Sequence, residues 1–328
     1  MKRKYTILSI VILIILAVIA SLLLFYNRST NNNSISKTYQ KTKSVSVKPP
    51  AATATQPKLA HIFLIVEENR TYSSVIGNSQ APYINSLAKK YSLATNYSGV
   101  THPSLPNYLA LTSGSTDGTT TDCNPPSAGC IVNVKNIADE IASSGRTWKQ
   151  YAEGMPSACY AYNDLQSQYQ FATKHVPFLY YSDIINNSQL CKSHVVPYSQ
   201  LAIDLKSIAT TPNYAFITPN LCNDGHNCPT STMDTWLASN VPTILNSKAF
   251  ITQPSLLVIT FDEGNLSDNH IATIFAGSAA KSNYQSSLAF NHYALLHTIE
   301  SLWGLKPLTS NDANAPLMTS MMSQKFIP

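Results

Sequence analysis

A serine at a strand-to-helix turn, with carboxylates at the ends of two distant apolar runs, is the combination in this sequence that could do chemistry. Within Thr101-His-Pro-Ser-Leu-Pro-Asn-Tyr-Leu-Ala-Leu-Thr-Ser-Gly114, Ser104 follows the strand-like run 93–98 and precedes an apolar helical run carrying Tyr108, Leu109 and Leu111. A hydroxyl placed there lies beside unpaired backbone N–H groups and the positive end of a helix dipole, where an anion such as phosphate is favoured. Pro106 fits the first helical turn, whose N–H groups have no helical partner to lose. Ser is also a preferred helix cap, a role that needs no chemistry. The assignment of Ser104 as nucleophile therefore rests on the residues around it.

Glu68 and Asn69 come directly after the apolar run 61–66, and Asp262 and Glu263 directly after 256–261. Burying an unpaired carboxylate is costly, so acidic groups in such places call for a partner or a metal. In an open α/β sheet the carboxyl ends of strands gather at one crevice. These four residues would then offer hard oxygen ligands to a divalent cation beside Ser104, which would acidify the hydroxyl and neutralise phosphate charge. A second group, Asp224, His226, His270 and His292, adds imidazoles to the same crevice. It could complete a second metal site, hold phosphoryl oxygens or protonate a leaving group. Gly225 permits a tight turn that aims Asp224 and His226 together. His175, in a Tyr-rich irregular segment over 159–192, His194 just beyond it, and His297 read as packing or surface histidines.

The elements that must position these groups follow from the apolar pattern. Residues 61–66 and 256–261 are continuous apolar runs without alternation, as expected of central strands buried on both faces. Residues 93–98, 147–151, 214–218 and 271–275 read as further strands, and 83–91, 134–143, 233–245 and 291–303 as helices, the last stopped by Gly304. Strands alternating with helices predict an α/β domain with a largely parallel central sheet flanked by helices. The Gly/Thr/Asp/Cys-rich loop 115–133 falls at the rim of the crevice.

At 328 residues the chain can bury a sizeable core. Its formal net charge of +5 is uneven: residues 1–50 carry eight Lys or Arg and no acid, leaving 14 basic against 17 acidic groups beyond them. The folded part is slightly acidic, so nucleic-acid binding through a basic face is not indicated. Met-Lys-Arg-Lys precedes about twenty uncharged, mostly aliphatic residues, enough to cross a bilayer as a helix, and positive charge on that side keeps the N-terminus in the cytoplasm. Residues 1–26 are expected to be an uncleaved anchor, 27–57 a disordered linker too poor in apolar groups to fold, and 58–328 an extracytoplasmic catalytic domain of a single-pass membrane protein. Six cysteines, an even number in an exported domain, suggest disulfides. Short spacings favour Cys123 with Cys130 and Cys222 with Cys228, leaving Cys159 with Cys191, one of fifteen possible connectivities.

Ile65-Val-Glu-Glu-Asn-Arg70, His102-Pro-Ser-Leu-Pro-Asn-Tyr108 with Leu111-Thr-Ser-Gly114, Pro219-Asn-Leu-Cys-Asn-Asp-Gly-His226, Thr260-Phe-Asp-Glu-Gly264 and Asn291-His-Tyr with Thr298-Ile-Glu300 appear in that order over residues 60–310. This series resembles the phosphoesterase family of acid phosphatases and phosphatidylcholine-type phospholipases C, within the alkaline-phosphatase-like superfamily. The resemblance implies that Ser104 is transiently phosphorylated and that Glu68, Asn69, Asp262 and Glu263 bind the catalytic metal. Asp224, His226, His270 and His292 would surround the phosphate or a second ion. Family members often have Met-Glu-Asn where this chain has Glu67-Glu68-Asn69, which leaves either Glu as the ligand. They often carry Asp in place of Asn220, and Asp-His-Val or Asp-His-Arg in place of Asn269-His270-Ile271. Sulfatases of the superfamily have Arg where Tyr108 stands, so a sulfatase is not implied. The expectation is a metal-dependent phosphomonoesterase acting on a small molecule or lipid headgroup. A phospholipase C or other phosphodiesterase with the same residues is the alternative, and a non-catalytic surface binding protein a third.

Overall fold

The computed structural model describes residues 58–163 and 170–327. The expected anchor over 1–26 and linker over 27–57 lie outside the described residues. Among those described, no helix is long and apolar enough to cross a membrane.

Nine strands form one sheet: β1 (His61–Glu67), β2 (Ser92–Ser98), β3 (Trp148–Ala152), β4 (Val195–Pro197), β5 (Tyr214–Thr218), β6 (Ser255–Phe261), β7 (His270–Ala276), β8 (Tyr284–Ser286) and β9 (Phe290–Asn291). Their order is β4-β3-β5-β1-β6-β7-β2-β8, with β9 also beside β2. Every residue of β1, β5 and β6 is buried, which is why their sequences show no alternation.

The sheet is mixed. β1 runs parallel to β5 and β6, but β7 runs against both of its neighbours, β6 and β2. The eight residues joining β6 to β7 are too few for a crossover helix, so the chain folds straight back. Two reversals restore direction, and the carboxyl ends of β1, β2, β5 and β6 all reach the same edge of the sheet.

Flanking helices fix that edge. Helix Pro82–Lys90 packs on Thr230–Leu245, and helix Ser104–Ser113 on His292–Trp303. The first contact is locked by a long-range cap, since Asp234 accepts from the backbone N–H groups of Tyr83 and Ile84 at 2.9 and 2.8 Å. Three disulfides join Cys123 to Cys130, Cys159 to Cys191 and Cys222 to Cys228, the pairing that spacing favours. The expected irregular excursion, where described, resolves into short turns and helices, among them the turns Thr173–His175 and Pro177–Tyr180.

Candidate active site

Ser104 is the first residue of helix Ser104–Ser113, all ten residues of which are buried. An apolar helix with no solvent face is held by packing on every side, and Gly114, at φ 75°, ends it in the left-handed conformation that glycine adopts without strain. Before the helix, the Asn107 side-chain carbonyl accepts from Val100 and Thr101 N–H at 2.8 and 3.0 Å, which folds the loop from β2 into the turn that presents Ser104.

The Ser104 hydroxyl donates to Glu68 Oε2 at 3.1 Å. Glu68 also receives the Tyr108 hydroxyl at 2.8 Å and the Asn69 amide at 2.6 Å. Asn69 N–H donates to Asp262 Oδ1 at 3.2 Å, and Asp262 N–H to the Glu67 carbonyl at 3.0 Å, so the tips of β1 and β6 are tied together. Glu263 Oε2 lies 2.7 Å from His102 Nδ1 and 3.4 Å from the Asn107 amide. Ser104, Glu68, Asn69 and Asp262 are thus joined by hydrogen bonds, and Glu263 is tied to the helix of Ser104 through Asn107. Glu68 is the one of the two adjacent acids that reaches Ser104. Glu67 is fully buried with both carboxyl oxygens unpartnered, and burial followed by repulsion from Asp224 pushes its pKa well above the carboxylate range.

Two residues in the Thr173–His175 turn belong to this site, one of them a correction. His175 was expected to pack or lie at the surface. Instead its fully enclosed ring places Nε2 2.8 Å from Glu68 Oε1 and Nδ1 3.2 Å from Asp224 Oδ2, and it stacks on Tyr108. Lys174 Nζ lies 3.4 Å from Ser104 Oγ, 3.0 Å from Asp122 Oδ2 and 3.5 Å from His226 Nε2. A signal for both existed in the sequence. Lys174-His175 interrupts the apolar stretch 171–181, and buried charge is costly unless it is paired.

The remaining expected residues divide. His226 is exposed at the mouth, next to Lys174, with its own N–H on Asp224 Oδ1 at 2.7 Å. Asp224 is buried on the far side of the His175 ring from Glu68, so the ring lies between these two carboxylates. His292 is fully buried behind β6, with Nε2 2.5 Å from the Asp262 carbonyl and Nδ1 3.1 Å from the Tyr97 hydroxyl. It holds the backbone that carries Asp262 and does not face the crevice. His270 opens β7 opposite Ser98, stacks on Tyr72 and bonds through Nε2 to the Thr95 carbonyl at 3.0 Å. No described hydrogen bond or ion pair joins it to Ser104 or the carboxylates. His194, stacked on Trp148, and His297, bonded to the Ala315 carbonyl, are packing residues as expected.

The electrostatics show an excess of negative charge. Burial raises the pKa of Glu68, but attraction from His175, Lys174 and His226 outweighs it and holds the carboxyl far below its usual range. Burial lowers His175, yet Glu68 and Asp224 raise it to about 9. Asp262 is pushed well above the carboxylate range, first by burial and then by Glu68 and Glu263. Glu263 is raised to about 7 by burial and by Glu68, against the pull of His102. His292 is lowered to about 4 by burial. Asp262 Oδ2 is buried with no hydrogen-bond partner. Among the described residues, no three His, Cys, Asp or Glu side chains close around one point as they stand. The oxygen set here is completed by an amide, Asn69, and a hydroxyl, Ser104. An orphaned carboxylate oxygen, two carboxyls driven toward neutrality by burial and by Glu68, and an all-oxygen donor set fit a hard cation.

The mixed sheet and its flanking helices form an α/β fold of the alkaline-phosphatase-like class. A solved alkaline phosphatase superfamily protein from Vibrio parahaemolyticus matches 80% of this chain and 71% of its own with a TM-score of 0.58 at 12% identity. A lipoteichoic acid synthase from Listeria monocytogenes matches 79% and 76% with a TM-score of 0.54 at 9% identity. Residues 78–306 match the phosphoesterase family, and the chain belongs to it. It is 34% identical over 272 residues to a phosphatidylinositol-3-phosphatase of Mycobacterium tuberculosis, covering 82% of this chain and 85% of that protein. It is 30% identical over 244 residues to a phosphate-repressible acid phosphatase of Penicillium chrysogenum, covering 72% of this chain and 57% of that protein. This chain is a phosphoester hydrolase.

Proposed function

We propose that the chain is an exported, membrane-anchored phosphomonoesterase that works through a phosphoseryl intermediate on Ser104 with a divalent cation at the β1 and β6 tips. The observation that carries this reading is the 3.1 Å hydrogen bond from Ser104 to Glu68, both buried, with buried Asp262 and Glu263 and half-buried Asn69 beside them. Glu68 receives the hydroxyl proton's bond, so the Ser104 oxygen keeps a lone pair free for in-line attack on phosphorus. Lys174 and the helix N-terminus lie where negative charge gathers during that attack. His226, exposed and 3.5 Å from Lys174, would protonate a leaving alkoxide. Water then takes the place of the leaving group and hydrolyses the phosphoserine. Glu68, Asn69, Asp262 and Glu263 would hold the cation, whose chemistry is to lower the pKa of the serine hydroxyl and neutralise phosphate oxygens. His292 orients Asp262 from behind, and His175 supplies the positive charge that keeps Glu68 ionised.

The relatives described here are named phosphatases, which favours release of inorganic phosphate from a monoester over phospholipase C action. The purified chain is assayed on an aryl phosphate monoester and on the matching diester. Ser104→Ala is expected to lower monoester turnover by about a thousandfold or more, as loss of a covalent nucleophile does, and to abolish phosphate labelling of the protein. Retained labelling or turnover rejects Ser104. Preference for the diester transfers the site to a phosphodiesterase. Failure to hydrolyse either ester with any divalent ion leaves a binding protein.

A further inference from the structure

The amide that follows the nucleophile is already occupied. Leu105 N–H donates to Asp122 Oδ1 at 3.1 Å, and the other oxygen of the same carboxylate takes Lys174 Nζ at 3.0 Å. Lys174 is in turn 3.4 Å from Ser104 Oγ and 3.5 Å from His226 Nε2. One planar pair of oxygens thus engages two donors beside the serine that a phosphoryl group would need, an N–H at a helix start and a buried ammonium. Asp122 belongs to no helix or strand and sits next to Cys123, whose disulfide to Cys130 ties down this rim loop. Its side chain is 32% exposed while that of Lys174 is 10% exposed, so the anion, unlike the cation, has open space to move into.

A purely structural cap explains only half of this. A cap needs one oxygen on the first turn, and the second oxygen here is spent on the lysine that faces the nucleophile. We infer that Asp122 is a built-in stand-in for phosphate: it holds Leu105 N–H and Lys174 in the resting site and must give way to the phosphoryl group of substrate, thereby setting the affinity for substrate and for product phosphate. This rests on the phosphoesterase reading of the site. It gives the 115–133 loop a function beyond lining the rim. Parking the lysine on an internal carboxylate keeps it ordered without leaving a bare anion site that would trap the released product.

The test is calorimetric titration of the full chain with inorganic phosphate, for the wild type, Asp122→Asn, Asp122→Ala and Lys174→Met, with thermal melts confirming that each is folded. Removing a like charge at hydrogen-bond range from the bound anion is expected to tighten phosphate about tenfold or more in both Asp122 variants. KM for an aryl phosphate should fall in parallel, and Lys174→Met should bind phosphate more weakly than the wild type. Unchanged or weakened phosphate binding in both Asp122 variants, or undiminished binding in Lys174→Met, overturns the inference. The outcome is separable from the activity itself, because tighter phosphate binding in the Asp122 variants without monoester hydrolysis by the wild type would keep Asp122 in this role and reject the phosphomonoesterase reading.

Discussion

Replacing His175 with leucine tests the electrostatic account of the site most directly. The ring is buried between Glu68 and Asp224, at 2.8 and 3.2 Å, and its pKa of about 9 makes it a cation at neutral pH. With an effective dielectric of about 20, the two attractions are roughly 6 and 5 kcal/mol before the cost of taking the charges out of water. That cost cancels much of the gain, but the substitution does not recover it, because both carboxylates stay behind without their counter-charge. Removing one partner of a buried pair costs about 3–5 kcal/mol. Glu68 retains hydrogen bonds from Ser104, Asn69 and Tyr108, which places the loss toward the lower figure. At roughly 2 °C per kcal/mol for a domain of this size, the melting temperature of His175→Leu should fall by about 6 °C or more. Adding Asp224→Asn to His175→Leu should restore part of the fall, since one of the stranded charges is then gone. Scanning calorimetry in chelator, followed by repetition with added divalent ion, measures both effects, and monoester turnover should drop in parallel because Glu68 loses the group that orients it. A fall below about 2 °C, or a double variant no more stable than the single, would refute the claim that His175 neutralises this pair.

Two further outcomes are expected. Asp262→Asn should lose most of its activity while excess divalent ion restores part of it, read as turnover against ion concentration; wild-type turnover at low ion would show that no cation is held there. Glu300 is fully buried with both carboxyl oxygens unpartnered, and burial followed by repulsion from Asp312 raises its pKa to about 9. The folded state therefore keeps a proton that the unfolded chain releases above its ordinary value near 4.5, so this contribution to stability is complete at acid pH and is lost as pH rises toward 9. Glu300→Gln should flatten the decline in melting temperature between pH 5 and 8.5, and a decline as steep as that of the wild type would exclude Glu300 as its source.

Much of the molecule was open to reading because the relevant physics is local. A strand buried on both faces has to be apolar along its length, so β1 and β6 announce themselves in sequence. Acidic groups directly after such strands are expensive without partners, which marks Glu68, Asp262 and Glu263. Short cysteine spacings favour local loops, and the observed disulfides follow them. Neighbouring side chains at the end of a strand point to opposite sides, so Glu67 and Glu68 could not both face Ser104, but which of them does was left to the fold.

Other features were decided by the tertiary structure alone. His270 and His292 sit beside ligand motifs in sequence, yet pairing of β7 with β2 turns one toward Thr95, and the helix start at His292 puts the other behind Asp262. Lys174, His175 and Asp122 lie in segments without periodicity, where no local rule fixes direction. Only the packing of those segments over the sheet edge brings them to Ser104. Sequence determined which residues could not be buried without partners. The fold determined which partners they met, because long-range contacts depend on where distant segments come to rest and not on their spacing along the chain.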